Sequence, residues 1–387
     1  MHDALGAAWL PDRYAFGGRL ERRPDTVENT ASPQLFQTRR EGIRSMSIPV
    51  GRRGTYAVTI YLSESLGAQP GTRVFDVLAE GVPVAERVDT AARTAGGQPD
   101  HLVFTTPVRD GRLTLRFVRR VGEPQLSAVK VTTVRRATTA PEVRWHDEFD
   151  GPAGAPPAAS RWAYDQGVGH SPGWGNRELE TYTDRPGNVA VTGGGTLAIT
   201  ARRETLTGPD GQTRDYTSAR IKTQKKYWFT YGEMSARIKA PTGQGIWPGF
   251  WAVGERVYSI GWPAAGEMDM FEVLGSNPAK VWGSVHGPWT GGGPYGVSRA
   301  FTLPESAADA FHVYSALWVP GAIQFRLDGM RYATYTPEDL GPRRRWVFDQ
   351  PFHLLLNVAV GGTGSGPPDA TTPFPQTMLV DWVRVRR

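Results

Sequence analysis

Gly266-Glu267-Met268-Asp269-Met270-Phe271-Glu272-Val273-Leu274 sets three carboxylates among apolar neighbours in a stretch with the composition of a β-strand. Side chains alternate faces along a strand, so Glu267 and Asp269 share one face. Glu272 lies five positions from Glu267 and by simple alternation falls on the other face. One extra residue, a β-bulge between Asp269 and Glu272, returns it to the same side. Three acids then line one face while Met270 and Val273 turn to the core. A solvated acidic face is the competing reading. Like charges this close repel, so a sequence shaped by stability alone would interleave Lys or Arg. The neighbours here are Met268, Met270, Phe271 and Val273. Crowded, partly desolvated carboxyls move each other's pKa values apart, so that one is ionised while another keeps its proton. Hydrolysis of a glycosidic bond needs such a pair.

Outward from this strand the texture stays β. Short apolar runs recur at 188–191, 196–200, 232–238, 249–253, 281–286, 312–318, 322–327, 353–360 and 378–385. Sustained helical periodicity is almost absent, with brief exceptions such as 304–310. The roughly 245 residues from Val143 onward suit one large sandwich better than two small domains. Before them, runs at 56–62, 74–78, 101–104, 113–118 and 126–134, with turns such as Asp110-Gly111, read as a smaller β-sandwich. Arg135-Arg136-Ala137-Thr138-Thr139-Ala140-Pro141 lacks alternation and ends in Pro, which marks a linker. The expected organisation is an all-β chain with one domain over 1–136, a linker at 137–142 and a second domain over 143–387.

Composition narrows the function. The chain has 387 residues, enough for two or three domains at roughly 150 each. No apolar run approaches the roughly 20 residues of a membrane-spanning helix, so no membrane role is expected. With no Cys, disulfides, thiolate zinc sites and a Cys nucleophile are excluded. The net charge of +6 is carried by scattered Arg groups, Arg39-Arg40, Arg119-Arg120 and Arg343 to Arg345. That is a solvated surface rather than a nucleic-acid face. Met1-His2-Asp3 lacks the basic region and apolar core of a signal peptide.

Several further blocks accompany the acid strand. They are Trp174-Gly175-Asn176-Arg177-Glu178-Leu179-Glu180, Tyr216-Thr217-Ser218-Ala219-Arg220, Gly243-Gln244-Gly245-Ile246-Trp247-Pro248-Gly249-Phe250-Trp251, Trp262-Pro263, His286-Gly287-Pro288 and Asn357-Val358-Ala359-Val360-Gly361-Gly362. In this order they resemble glycoside hydrolase family 16 over most of 143–387, above all the bacterial laminarinase (endo-β-1,3-glucanase) branch. The resemblance implies a β-jelly roll and a secreted, monomeric endo-glycanase acting on β-glucan by retaining double displacement. It implies Glu267 as nucleophile, Glu272 as acid/base and Asp269 as the residue that orients Glu267. Trp247 and Trp262 match the family's cleft tryptophans, and Asn176, Arg220 and His286 its polar sugar contacts; Trp251 is read as core. The pattern departs at Trp289-Thr290, where many laminarinases have Gly and an aromatic, and Trp289 is read as an added sugar platform or lid. Glu148, a backbone oxygen near Gly187, and Asp381 match a structural calcium site of the family; no cofactor is implied for catalysis. Mixed-linkage β-1,3-1,4-glucan, β-1,3-galactan and transglycosylation stay open, as does a non-catalytic glucan-binding protein, although such proteins usually lose one or both acids.

Residues from about Tyr14 to Val134 resemble the malectin-like domain. The motifs are Phe16-Gly17-Gly18, Leu35-Phe36-Gln37-Thr38, Gly54-Thr55-Tyr56-Ala57-Val58, Gly71-Thr72-Arg73-Val74-Phe75-Asp76-Val77 and Asp110-Gly111-Arg112-Leu113. The resemblance implies a β-sandwich of carbohydrate-binding type, with Phe36 at the place of a loop tyrosine.

Overall fold

A computed structural model describes all of the chain except residues 24, 95, 135–142, 170, 209–210 and 387. The linker expected at 137–142 therefore lies outside the described residues. The fold is all-β, and the chain divides into two compact units. One takes Met1–Pro141 with the short segments Leu317–Gln324 and Thr334–Trp346, and the other takes Glu142–Ala316, Phe325–Ala333 and Val347–Arg387.

The first unit is built from short antiparallel sheets of five, three and three strands. Alternating inward residues of Gly54–Leu62, Val74–Ala79, Asp100–Val108 and Arg112–Val121 meet in its core, among them Val58, Ile60, Phe75, Val77, Leu113 and Leu115. Phe36 is fully buried against the rings of Tyr61 and His101. It is a core residue and not the loop platform expected of it.

The second unit is a β-jelly roll with a ten-stranded and a seven-stranded sheet. The seven-stranded sheet carries the acids. In chain order its strands are β1 (Ala163–Asp165), β2 (Arg220–Lys222), β3 (Ile246–Gly254), β4 (Glu267–Val273), β5 (Lys280–Pro288), β6 (Pro294–Thr302) and β7 (Phe352–Val360). Their order across the sheet is β1-β2-β7-β3-β4-β5-β6, all antiparallel. One face is apolar and closed: Ile246, Phe250, Ala252, Met268, Met270, Leu354, Leu356 and Val358 are fully buried. Burying such a face at about 25 cal/mol per Å² holds the sheet in place. The other face presents Trp247, Trp251, Glu267, Glu272 and His286, all half-buried.

Candidate active site

The bulge is present in the register. On β5, His286, Ser284 and Trp282 stand opposite Glu267, Asp269 and Glu272, so β4 has one residue more between the last two pairs. On β3, Trp251 pairs with Asp269 and Phe250 with Phe271, which makes Met270 the extra residue. Met268, Met270 and Val273 all enter the core. The insertion thus turns Glu272 to the side of Glu267 and Asp269.

Asp269 is buried, and His286 Nε2 lies 3.2 Å from its Oδ2 and 3.9 Å from Glu267 Oε1. At 3.2 Å the imidazole and the carboxyl act on each other through hydrogen bonding and charge together. Burial, and then the charges of Glu267 and Glu272, hold the Asp269 carboxyl well above the usual range. Burial alone would lower His286, but its contact with Asp269 and the charges of Asp269, Glu267 and Glu272 prevail and raise it to about 10. Burial likewise raises both Glu267 and Glu272. Their surroundings differ. Glu267 is opposed in this by His286, by Arg220 and by a hydrogen bond from Trp262, with the charge of Glu178 acting the other way. Glu272 is opposed by His286 and by hydrogen bonds from Ser284 and Trp247, but the charge of Glu267 pushes it further up.

The two tryptophans therefore touch the acids directly. Trp262 is 48% exposed. Trp247 rests on the turn after β7, where a Cβ on Gly364 would meet its ring at 2.8 Å, so only glycine fits there. Trp289 lies beyond β5 in the turn to β6, half-buried with its ring edge-on to Tyr295 at 5.8 Å.

Asn176 and Arg220 reach the site through groups the sequence reading missed. Asn176 Nδ2 donates to Glu178 at 3.0 Å, and Tyr182 Oη donates to the same carboxylate at 3.1 Å. Asn357 Nδ2 donates to Tyr182 Oη, and Trp251 Nε1 donates to Asn357 Oδ1 at 2.8 Å. The Arg220 guanidinium lies between the rings of Trp174 and Trp251, 4.7 and 4.6 Å from their centroids. Trp251 is thus part of the open face and not core. Ser284, which donates to Glu272 at 3.2 Å, completes the set. Its signal was its place two residues before His286 on the same strand face.

The calcium expectation does not fit. Arg384 donates to both oxygens of Glu148, at 2.9 and 2.7 Å. Arg237 donates to Asp381 at 2.7 Å, and Arg202 Nε to the Gly187 carbonyl oxygen at 2.7 Å. A guanidinium already bonds each expected ligand, and at the two carboxylates it supplies the positive charge a cation would bring. Among the described residues, the one His/Asp/Glu group close enough to hold a metal is Glu267, Asp269 and His286, which is the acid cluster itself. A chelator is therefore expected to leave the melting temperature unchanged in differential scanning calorimetry; a loss of several degrees reversed by added calcium would restore the metal site.

A jelly roll with clustered carboxyls on a bulged strand, flanked by tryptophans, defines a glycoside hydrolase. The comparisons agree: residues 177–384 match the model of glycosyl hydrolases family 16, and the chain belongs to that family. Residues 6–138 match the malectin domain. A β-glucanase of Rhodothermus marinus is 40% identical over 264 residues, covering 64% of this chain and 85% of that protein. A glucan endo-1,3-β-glucosidase A1 of Niallia circulans is 36% identical over 62% of this chain and 37% of its own length. Among solved structures, the endo-β-1,3-glucanase of Pyrococcus furiosus is 44% identical with a TM-score of 0.59, covering 64% of this chain and 94% of that one.

Proposed function

We propose that this chain cleaves internal β-1,3 bonds of a laminarin-type glucan by double displacement with retention. The observation that carries the reading is the unequal setting of Glu267 and Glu272 on one strand face. Glu267, nearer to the cations, is the nucleophile. Glu272, raised by burial and by the charge of Glu267, is the proton donor. In the first step Glu272 protonates the glycosidic oxygen while a Glu267 oxygen attacks the anomeric carbon and the leaving sugar departs. In the second, Glu272 takes a proton from water, the water oxygen attacks the same carbon, and the bond to Glu267 breaks. A retaining pair of this kind works at about 5–5.5 Å. Asp269 orients Glu267, and His286 balances the charge of the cluster. Trp262 and Trp247 place the sugar rings beside the acids, and Asn176 and Arg220 frame the same face. Trp289 adds a ring at one edge of the sheet.

The names of the similar proteins support β-1,3-glucan over other β-glycans. The presence of all three acids favours an enzyme over a glucan-binding protein. A polymeric substrate implies secretion, because such chains do not enter cells. The malectin unit holds the enzyme on the polymer and raises its local concentration there. We take the working form as a monomer without nucleic-acid or membrane partners; among the described residues no helix is long and apolar enough to cross a membrane. Product analysis on laminarin, barley mixed-linkage glucan and β-1,3-galactan tests the substrate. Rapid release of laminari-oligosaccharides from laminarin is expected, and laminarin left intact while another polymer is cut would replace the assignment.

A further inference from the structure

A cavity of about 820 Å³ opens in the catalytic unit beside β1 and β2, lined by Asp165, Trp174, Lys222, Glu255, Arg256 and Tyr258 among others. That volume lies within the range of ordinary ligand pockets, roughly 300–1,000 Å³. The sheet order β2-β7-β3-β4 puts three strand spacings between Lys222 and the acids. At about 4.8 Å per spacing that is roughly 14 Å, a reach of several sugar units.

Tyr258 gives the cavity its character. The residue is 61% exposed, yet it is held in place. Lys222 Nζ donates to the Tyr258 hydroxyl at 2.7 Å and lies 4.9 Å from the ring centroid. Lys222 is itself buried and bonded to the buried Asp165 carboxylate. Asp165 in turn lies 3.0 Å from Arg220 Nε, the group stacked between Trp174 and Trp251. An exposed aromatic ring fixed by buried charges loses little freedom on binding, which is what a sugar platform requires. Charged and amide groups of Lys222, Glu255, Arg256 and Gln224 around it can exchange hydrogen bonds with hydroxyls.

We propose that this cavity is a distal subsite in which Tyr258 stacks on a glucosyl ring of the same β-1,3-glucan chain whose scissile bond lies at Glu267 and Glu272. The proposal rests on the glucanase reading and sets the chain-length preference of the enzyme. Sugar rings bound there supply binding energy remote from the reacting bond, so longer chains are better substrates.

The test is kcat/KM on reduced-end-labelled laminari-oligosaccharides of increasing length for wild type, Tyr258→Ala and Tyr258→Phe. In wild type, kcat/KM climbs with length until the cavity is filled. In Tyr258→Ala the ratio of long-chain to short-chain kcat/KM falls roughly tenfold. Tyr258→Phe, which keeps the ring and loses the lysine contact, restores most of the ratio. An unaltered ratio in Tyr258→Ala overturns the subsite, as does an equal loss at every length, which would make the tyrosine a structural cover for Lys222. A wild type that cleaves no β-1,3 oligomer fails the glucanase reading and the subsite falls with it; a wild type that cleaves all lengths equally well fails the subsite alone.

Discussion

Glu267→Ala is expected to lower kcat on laminarin by about 10⁴-fold or more, because the covalent step loses its only nucleophile. The fold is expected to survive. Glu267 is one of three crowded carboxyls whose proton affinities are raised by burial, and its charge raises those of Asp269 and Glu272 further. A carboxyl with a raised folded pKa weakens the fold as pH climbs through that value, so its removal holds or raises the melting temperature above neutral pH. The vacated space also admits a small anion. Azide supplied to Glu267→Ala with an aryl β-laminaribioside is expected to give the α-glycosyl azide, formed by direct attack from the emptied side. Normal hydrolysis by this variant would show that Glu267 is not the nucleophile.

Glu272→Ala has a different signature. On laminarin, where the leaving sugar needs a proton, kcat is expected to fall by 10²- to 10⁴-fold, the usual worth of general acid–base catalysis. On an aryl glycoside with a good leaving group the first step proceeds without the acid, and the glycosyl-enzyme accumulates because no base activates water. A burst of phenol followed by slow turnover is expected, and azide releases the β-glycosyl azide. The pH profile separates the roles further. Burial and the charge of Glu267 raise Glu272, so wild-type activity persists above the ordinary carboxyl range and declines as pH rises through the folded value. That alkaline limb is expected to disappear in Glu272→Ala on the aryl substrate. A retained alkaline limb and an equal loss on both substrates would assign the acid/base role elsewhere.

The acid strand was legible because its spacing breaks simple alternation in a way that a single inserted residue repairs, and Met270 is that residue. The β class was legible from short apolar runs between turn residues. Alternation, applied further, would also have placed Trp251 on the face of Trp247, four residues away on β3, and Ser284 on the face of His286. Trp251 alternates with Phe250, and adjacent strand residues face opposite ways, so a buried Phe250 puts Trp251 on the open face. Other parts depend on contacts between distant segments. The chain of hydrogen bonds from Glu178 through Tyr182 and Asn357 to Trp251 joins three separate stretches. No periodicity within one stretch announces it. The calcium expectation failed for the same reason: Glu148 and Arg384 are 236 positions apart, so only the fold reveals that they pair. Phe36 gave no sign of its depth because it precedes the polar strand Thr38–Glu41 and packs on Tyr61 and His101 from elsewhere.

The most direct test of the account is the anomeric configuration of the first product, followed by proton NMR while the enzyme acts on a laminari-oligosaccharide. Retention by Glu267 and Glu272 predicts that the new reducing end appears as the β-anomer and converts to α only by slow mutarotation. The α-anomer appearing first would mean single displacement by water and would contradict a covalent role for Glu267.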